Sequence, residues 1–517
     1  MTQVIALIAL GIFAAVMVIT GVVSSKKSKT MDGFLLGGRN IGPWMSAFAY
    51  GTSYFSAVIF VGYAGKHGWD IGLGSLWIGI GNAVFGCLLA WKLMAKRTRS
   101  MTHSLGARTM PEFFGERYIS RNMKIVTACI IFVFLMPYAA SVYKGLGMLF
   151  SSVFPMMENL IPGVSASTMC IIIVALLTAV YLVLGGYVAI ALSDFIQGII
   201  MLVGVVVLAV ALISNPAIGG LDGAVTRLRE IDPKLVSPFG GDAWSFLAVN
   251  ILLTSFGTFA LPQMVQKFYA IKDTAAIKRA TVVSTGFALI IGCGAYLVGS
   301  MGHLMLKELP EGGHDAIVPT MLMNTFSTSI GGSILLSVII LLVLSASMST
   351  LSSVVLTSAT AITVDLMHIF RPNIKEKKQM ILTRSFCLIF VALSAVFANF
   401  NFAIIVSIMS YSWGAVSGAF IGPFIWGLYS KKITRAGAWA GILGGLTTVV
   451  CMTLIYTVSQ PSLATHGLYK AFQDASKDSP IFGVCAMAAS LILVPVVSLF
   501  TKPLPKETVD KAFLTEV

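Results

Sequence analysis

Ser345-Ala346-Ser347-Met348-Ser349-Thr350-Leu351-Ser352-Ser353 sits inside an otherwise apolar segment, roughly residues 332 to 364. A hydroxyl in hydrocarbon needs a partner, because an unpaired polar group there costs several kcal/mol. One or two Ser or Thr can bond back to the carbonyl four residues earlier. The hydroxyls of Ser347, Ser349, Thr350, Ser352 and Ser353 exceed that need. Hydroxyl oxygens without nearby cationic donors suit a small hard cation. The stretch therefore marks a candidate cation site within a membrane-spanning helix.

The rest of the chain agrees with a membrane setting. Hydrophobic residues make up 57% and charged residues 11%. Apolar windows of about twenty residues, enough to cross a bilayer, recur along the whole length. Thirteen are predicted: roughly 3–24, 41–65, 72–95, 121–152, 165–184, 187–213, 244–268, 277–306, 332–364, 379–399, 402–428, 434–457 and 480–501. The first reads as a span and not a cleavable signal, since the basic pair Lys26-Lys27 follows its apolar core instead of preceding it.

A net charge of +14 invites a nucleic-acid reading, but its placement argues against one. Most Lys and Arg fall in alternate loops: 25–40, 92–124, 267–279, 371–384, 431–435 and the C-terminus. Lys66, Arg227, Arg229, Lys234, Lys307, Lys470 and Lys477 fall on the other side. The positive-inside rule then predicts an outside N-terminus and a cytoplasmic C-terminus in the cell membrane. The scattered Cys and His carry no disulfide or metal-ligand spacing. No nucleophile–base constellation or nucleotide fingerprint points to an enzyme, and no cofactor is expected.

Two spans are interrupted. One carries Gly51-Thr52-Ser53-Tyr54-Phe55-Ser56, then Gly62 and Gly65. The other, five spans later, carries Thr254-Ser255-Phe256-Gly257-Thr258-Phe259 and then Pro262. Matched interruptions in two halves point to an inverted-repeat transporter with a midplane site. Asp194 lies near the start of an apolar span, where a carboxylate is functional by default. Two readings stand for it: a cation ligand, or a helix-end acid stabilised by the N-terminal dipole. Lys144 reads as the one basic residue deep in a span, either a counter-charge for a carboxylate solute or a structural ion pair. Tyr138 and Lys144 lie about 120° apart around a helix and need not share a face.

At these residues the chain resembles the sodium:solute symporter family, and its sodium/proline branch most closely. The pieces run in order: Phe34-Leu35-Leu36-Gly37-Gly38-Arg39-Asn40-Ile41-Gly42-Pro43, Leu76-Trp77-Ile78 through Trp91-Lys92-Leu93, Met110-Pro111-Glu112-Phe113-Phe114, Leu184-Gly185-Gly186-Tyr187 through Asp194, and Met348 to Ser352. The resemblance implies an all-α membrane protein of about thirteen helices, ten in a five-plus-five inverted repeat of the LeuT-like kind. The implied divisions are 1–30, an extra helix and basic loop; 31–213 and 214–428, the two repeats; and 429–517, two more helices and a short tail. It implies uptake of a small organic solute driven by Na+. The core Na+ site falls on Thr52, Phe55, Ala346, Ser349 and Thr350. A second Na+ falls on Asp194, Ser349, Ser352 and Ser353.

On the solute side Tyr138 matches a substrate-facing tyrosine, with Ser53 and Ser56 beside it. Tyr54 stands where the branch has an aspartate, and Thr254 and Thr258 where it has a tryptophan and a tyrosine. Pro262 is retained. Loss of an acid and two aromatics argues against proline itself and for a smaller or more polar solute. With Lys144, the balance favours an amino acid or short carboxylate. A passive channel and a sensor on the same fold are the alternatives; Na+-independent flux would favour the channel.

Overall fold

The computed structural model describes residues 2–24, 30–159, 161–327, 329–371, 373–400 and 403–514. Lys26-Lys27 lies outside them. The regular elements are helical apart from one isolated bridge, Ile41 with Ile271. Among the described residues ten helices are long and apolar enough to cross a membrane, or eleven if the bent pair Gly241–Phe259 and Pro262–Ala270 is one span. The count falls short of thirteen at two places. The Pro43–Tyr54 helix is only 12 residues long because the chain breaks after it. The segment expected at 165–184 is represented by the shorter apolar helix Ala166–Val180.

The helices that position the site are α1 (Thr2–Ser24), α2 (Pro43–Tyr54), α3 (Ala64–Ile71), α4 (Arg121–Val153), α5 (Ala166–Ile213), α6 (Trp244–Phe256), α7 (Pro262–Ala270), α8 (Thr274–Ser300), α9 (Ile330–Thr360), α10 (Glu376–Ala398) and α11 (Ile405–Tyr429). α9 is enclosed over a long run: every residue from Leu342 to Thr360 is buried. It packs on α5, α4 and α2. α1 lies against α5 and α9, where Gln197 Nε2 donates to Met17 Sδ at 3.2 Å.

Glycines set two close approaches. α5 bends at Gly186, which has φ 57° and would put a Cβ 2.5 Å from the Phe34 ring. A side chain is disfavoured there both by conformation and by space. α8 crosses α3 so closely that a Cβ on Gly299 would lie 1.9 Å from the Ala64 carbonyl oxygen. Small residues let membrane helices pack backbone to backbone in this way.

The basic loops gather at one end of the bundle. Arg39 donates to the Ala107 carbonyl (2.6 Å), Arg99 to that of Lys272 (2.7 Å), Arg117 to that of Ser430 (2.9 Å) and Arg435 to that of Tyr118 (2.9 Å). At this same end Ile41 and Ile271 pair, with Ile41 N–H donating to Ala270 and Lys272 N–H to Ile41, both at 3.1 Å. Thus the two interrupted spans are clasped together where the basic loops lie.

Candidate functional site

α2 stops at Tyr54. Phe55 is extended (φ −106°, ψ 123°), and helix resumes at Ala57. The local chemistry explains the break. Ser56 Oγ accepts from Val58 N–H at 3.2 Å, the work of a helix N-cap. Ala57 N–H turns outward to Ser347 Oγ at 3.0 Å. The carbonyls of Thr52 and Ser53 meet a neighbouring helix instead of continuing their own.

They meet Thr350. Its Oγ1 lies 3.3 Å from Thr52 O, 3.4 Å from Ser53 O and 3.1 Å from Ala346 O. A hydroxyl has one proton to give, so three carbonyl oxygens converge on a single donor. Ser349 Oγ donates to Thr52 Oγ1 at 2.6 Å, and Thr52 Oγ1 donates to Phe48 O at 2.8 Å. Acceptor oxygens in excess of donors, all fully buried, are what a small hard cation can satisfy. Thr52, Ala346, Ser349 and Thr350 are thus brought together. Phe55 lies at the break beside them, also buried; the contacts that join the others do not include its carbonyl.

A second polar layer adjoins this one. Ser53 Oγ and Ser353 Oγ are 2.9 Å apart, and Ser353 accepts from Lys267 Nζ at 2.9 Å. Lys267 Nζ is 3.7 Å from Asp194 Oδ2 and 5.2 Å from the Tyr187 ring centroid. Asp194 and Ser353 therefore meet the same lysine, which lies between them. Ser352 turns to the Ser349 carbonyl at 2.8 Å. Lys267 corrects one expectation: it is not a loop residue but sits on α7, 1% exposed, and it is a more deeply buried base than Lys144. The helix that restarts at Pro262 carries the chain inward to Ala270, past the point where hydropathy alone ends the span.

On the other side of the break lies a packed aromatic cluster, the candidate solute chamber. Tyr54 OH donates to Thr254 O at 2.7 Å, and its ring lies 6.2 Å from that of Trp413. Tyr138 meets Trp413 edge-on at 5.7 Å, and its hydroxyl lies beside Ser56, Thr350 and Trp413. Tyr138 and Ser56 thus touch both the chamber and the hydroxyl cluster. Thr254 Oγ1 donates to Asn250 O (2.7 Å) and lies 2.8 Å from Asn82 Oδ1; Thr258 Oγ1 reaches Ser255 O (2.8 Å) and Gly86 O (3.1 Å). These two threonines brace the second break more than they line a space. Pro262 opens α7 at its first position, where a missing N–H costs nothing.

Trp413 Nε1 and Asn82 Nδ2 are buried without a hydrogen-bond partner among the described residues. Neither residue was singled out from sequence. The available signals were a lone Trp in the Ser- and Gly-rich stretch Ser410 to Gly418 and a lone Asn within 72–95. Asp365, fully buried just beyond α9, was also missed; it accepts from Thr109 Oγ1 at 2.7 Å and lies 3.4 Å from Lys124 Nζ.

Lys144 does not join the chamber. Its Nζ donates to Ala403 O at 2.8 Å and lies 3.4 Å from Asp315 Oδ2. Asp315 also accepts from Ile405 N–H at 3.1 Å, at the start of α11. Of the two readings of Lys144, these contacts are those of the ion pair, and none of them joins it to Tyr138. Lys144→Met should lower stability by about 1–3 kcal/mol, the cost of leaving a buried carboxylate short of a partner. Half-saturating Na+ should not move, and adding Asp315→Asn should recover part of the loss. Thermal unfolding with a Na+ titration checks this.

The sequence profile of the sodium:solute symporter family matches residues 34–445. The osmoregulated proline transporter OpuE of Bacillus subtilis is 28% identical over 448 residues, covering 86% of this chain and 88% of that protein. A sodium/proline symporter of Staphylococcus aureus is 28% identical over 459 residues, covering 86% and 85%. In fold, the chain resembles a Na+-coupled sialic acid symporter in a substrate-bound outward-open state, with TM-score 0.74, 17% identity, and coverage of 96% of this chain and 98% of that one.

Proposed function

Because this chain belongs to the sodium:solute symporter family, we propose that its Na+-coupled uptake works through the break in α2, with Na+ held against α9 and the solute in the adjoining aromatic chamber. It is a multi-pass membrane transporter and not an enzyme. The observation that carries the proposal is the convergence of the Thr52, Ser53 and Ala346 carbonyls on Thr350 Oγ1. Na+ would replace that shared proton as their common partner. Ser349 and Thr350 would supply hydroxyl ligands, with Phe55 adding its carbonyl once the break reorders. Ion binding would then draw α2 onto α9 and set Ser56 and Tyr138 for the solute. Ion and solute affinity are coupled reciprocally by such a shared element.

Tyr54, Tyr138 and Trp413 would frame the solute, with Ser53 and Ser56 at the break. Trp413 Nε1 and Asn82 Nδ2 are unpartnered donors, and a carboxylate is an acceptor-only group. That pairing supports an amino acid or short organic acid, with neutral donors taking the role first given to Lys144.

Counting the broken Pro43 to Ile71 stretch and the two arms of α5 as separate spans gives thirteen, with ten in a five-plus-five inverted repeat divided at 31–213 and 214–428. Residues 1–30 and 429–517 flank that core. The gathered basic loops support a cytoplasmic assignment for their end, with the N-terminus outside and the C-terminus inside.

The test is a thermal-shift screen of purified protein against amino acids, short carboxylates and sugars, each in Na+ and in choline. Stabilisation by a carboxylate in Na+ only is the expected result. A sugar outperforming every carboxylate overturns the solute class; stabilisation indifferent to Na+ overturns the coupling.

A further inference from the structure

Lys267 is 1% exposed and Asp194 is fully buried, and neither Asp194 oxygen has a hydrogen-bond partner among the described residues. The positive charge beside the carboxylate is the Lys267 ammonium at 3.7 Å, and the Ser349 hydroxyl also lies beside it. That ammonium also donates to Ser353 Oγ at 2.9 Å and faces the Tyr187 ring at 5.2 Å. An ammonium is a compact point charge with three donors. Acid, hydroxyl and aromatic face enclose it on three sides.

We infer that the Lys267 ammonium is a built-in cation that holds the place of a second Na+, so that this transporter binds a single Na+. The inference rests on the Na+-coupled reading above. Asp194 and Ser353 are two of the four groups, with Ser349 and Ser352, to which the family resemblance assigns a second ion. An ion ligated by both would lie within bonding distance of oxygens that Lys267 already faces. Two positive charges would then share one carboxylate, since Asp194 is the carboxylate paired with Lys267.

The tethered charge also performs the linking work of an ion. Lys267 rides on α7, Asp194 on α5, Ser353 on α9, and Ser353 reaches Ser53 on α2 at 2.9 Å. One ammonium therefore ties the inner half of the second broken span to the break in the first, with no dependence on external Na+. The core cluster at Thr350 is left as the Na+-responsive element.

Equilibrium binding of radioactive Na+ to the purified full-length protein tests this without knowledge of the solute. Wild type should bind one ion per chain, and Thr350→Ala should weaken that ion at least tenfold. Lys267→Met should bind two, because the uncovered Asp194 gains an ion. Lys267→Met/Asp194→Asn should return to one, and it provides a charge-neutral variant should the single substitution fail to fold. Two ions on wild type overturn the inference while leaving Na+ coupling intact. One ion that is lost in Asp194→Asn but kept in Thr350→Ala overturns it as well, as does a folded Lys267→Met that still binds one. Wild type that binds none overturns both the inference and the reading beneath it.

Discussion

Thr350→Ala should raise the Na+ concentration for half-maximal uptake by about tenfold or more, each tenfold being about 1.4 kcal/mol. The reason is position. Thr350 Oγ1 is the one hydroxyl that meets carbonyls on both sides of the cluster, Thr52 and Ser53 on α2 and Ala346 on α9. Its loss would remove a proposed ion ligand and leave the carbonyls facing each other across an apolar methyl. Ser349→Ala should have a smaller effect, because Thr52 Oγ1 keeps its bond to Phe48 O. The double variant should depart from simple addition, since the two hydroxyls share Thr52. Thr350→Ser restores the oxygen and should stay near wild type. Uptake measured against Na+, at equal surface expression, checks the series; an unmoved Na+ dependence in both alanine variants would sink the core-site assignment.

Lys267→Met should cost about 3–5 kcal/mol of stability in Na+-free buffer, the usual penalty for stripping one partner from a buried ion pair. Without Lys267, Asp194 is left beside the neutral Ser349 hydroxyl with no cation paired to it among the described residues. Adding Asp194→Asn should return most of that loss, because replacing both charges removes the uncompensated one. Asp194→Asn alone should also destabilise, though less, since Lys267 keeps Ser353 and the Tyr187 ring. Na+ should restore part of the stability of Lys267→Met and add little to the double variant beyond its effect on wild type. Denaturant unfolding of the four proteins in Na+ and in choline gives the cycle. Additive costs would show that the two charges do not interact and that the pair is incidental.

Several features of this site were legible in the chain itself. The bilayer demands long apolar runs and internal satisfaction of every backbone group, so spans, the break at Gly51 to Ser56 and the one before Pro262 all leave local marks. The hydroxyl run from Ser347 to Ser353 stood out for the same reason, and the structure sets Ser349, Thr350 and Ser353 against α2. The membrane class and the clustering of basic loops follow from composition and order along the chain.

Other features depended on which helix faces which. Local sequence sets Lys144 deep in a span and Lys267 at the edge of one, and neither placement says which carboxylate each lysine meets. Rotation of α4 delivers Lys144 to Asp315, whereas the bend before Pro262 carries Lys267 inward to Asp194. Trp413 and Asn82 gain meaning only from Tyr54 and Thr254, which lie hundreds of residues from one or the other. Sequence alone determined where hydrocarbon must be crossed and where the crossing is broken, because those costs fall on each residue and its near neighbours. The tertiary structure decided which charge meets which, because an ion pair depends on the rotation and tilt of separate helices, and a few ångströms there turn a solute ligand into a structural tie.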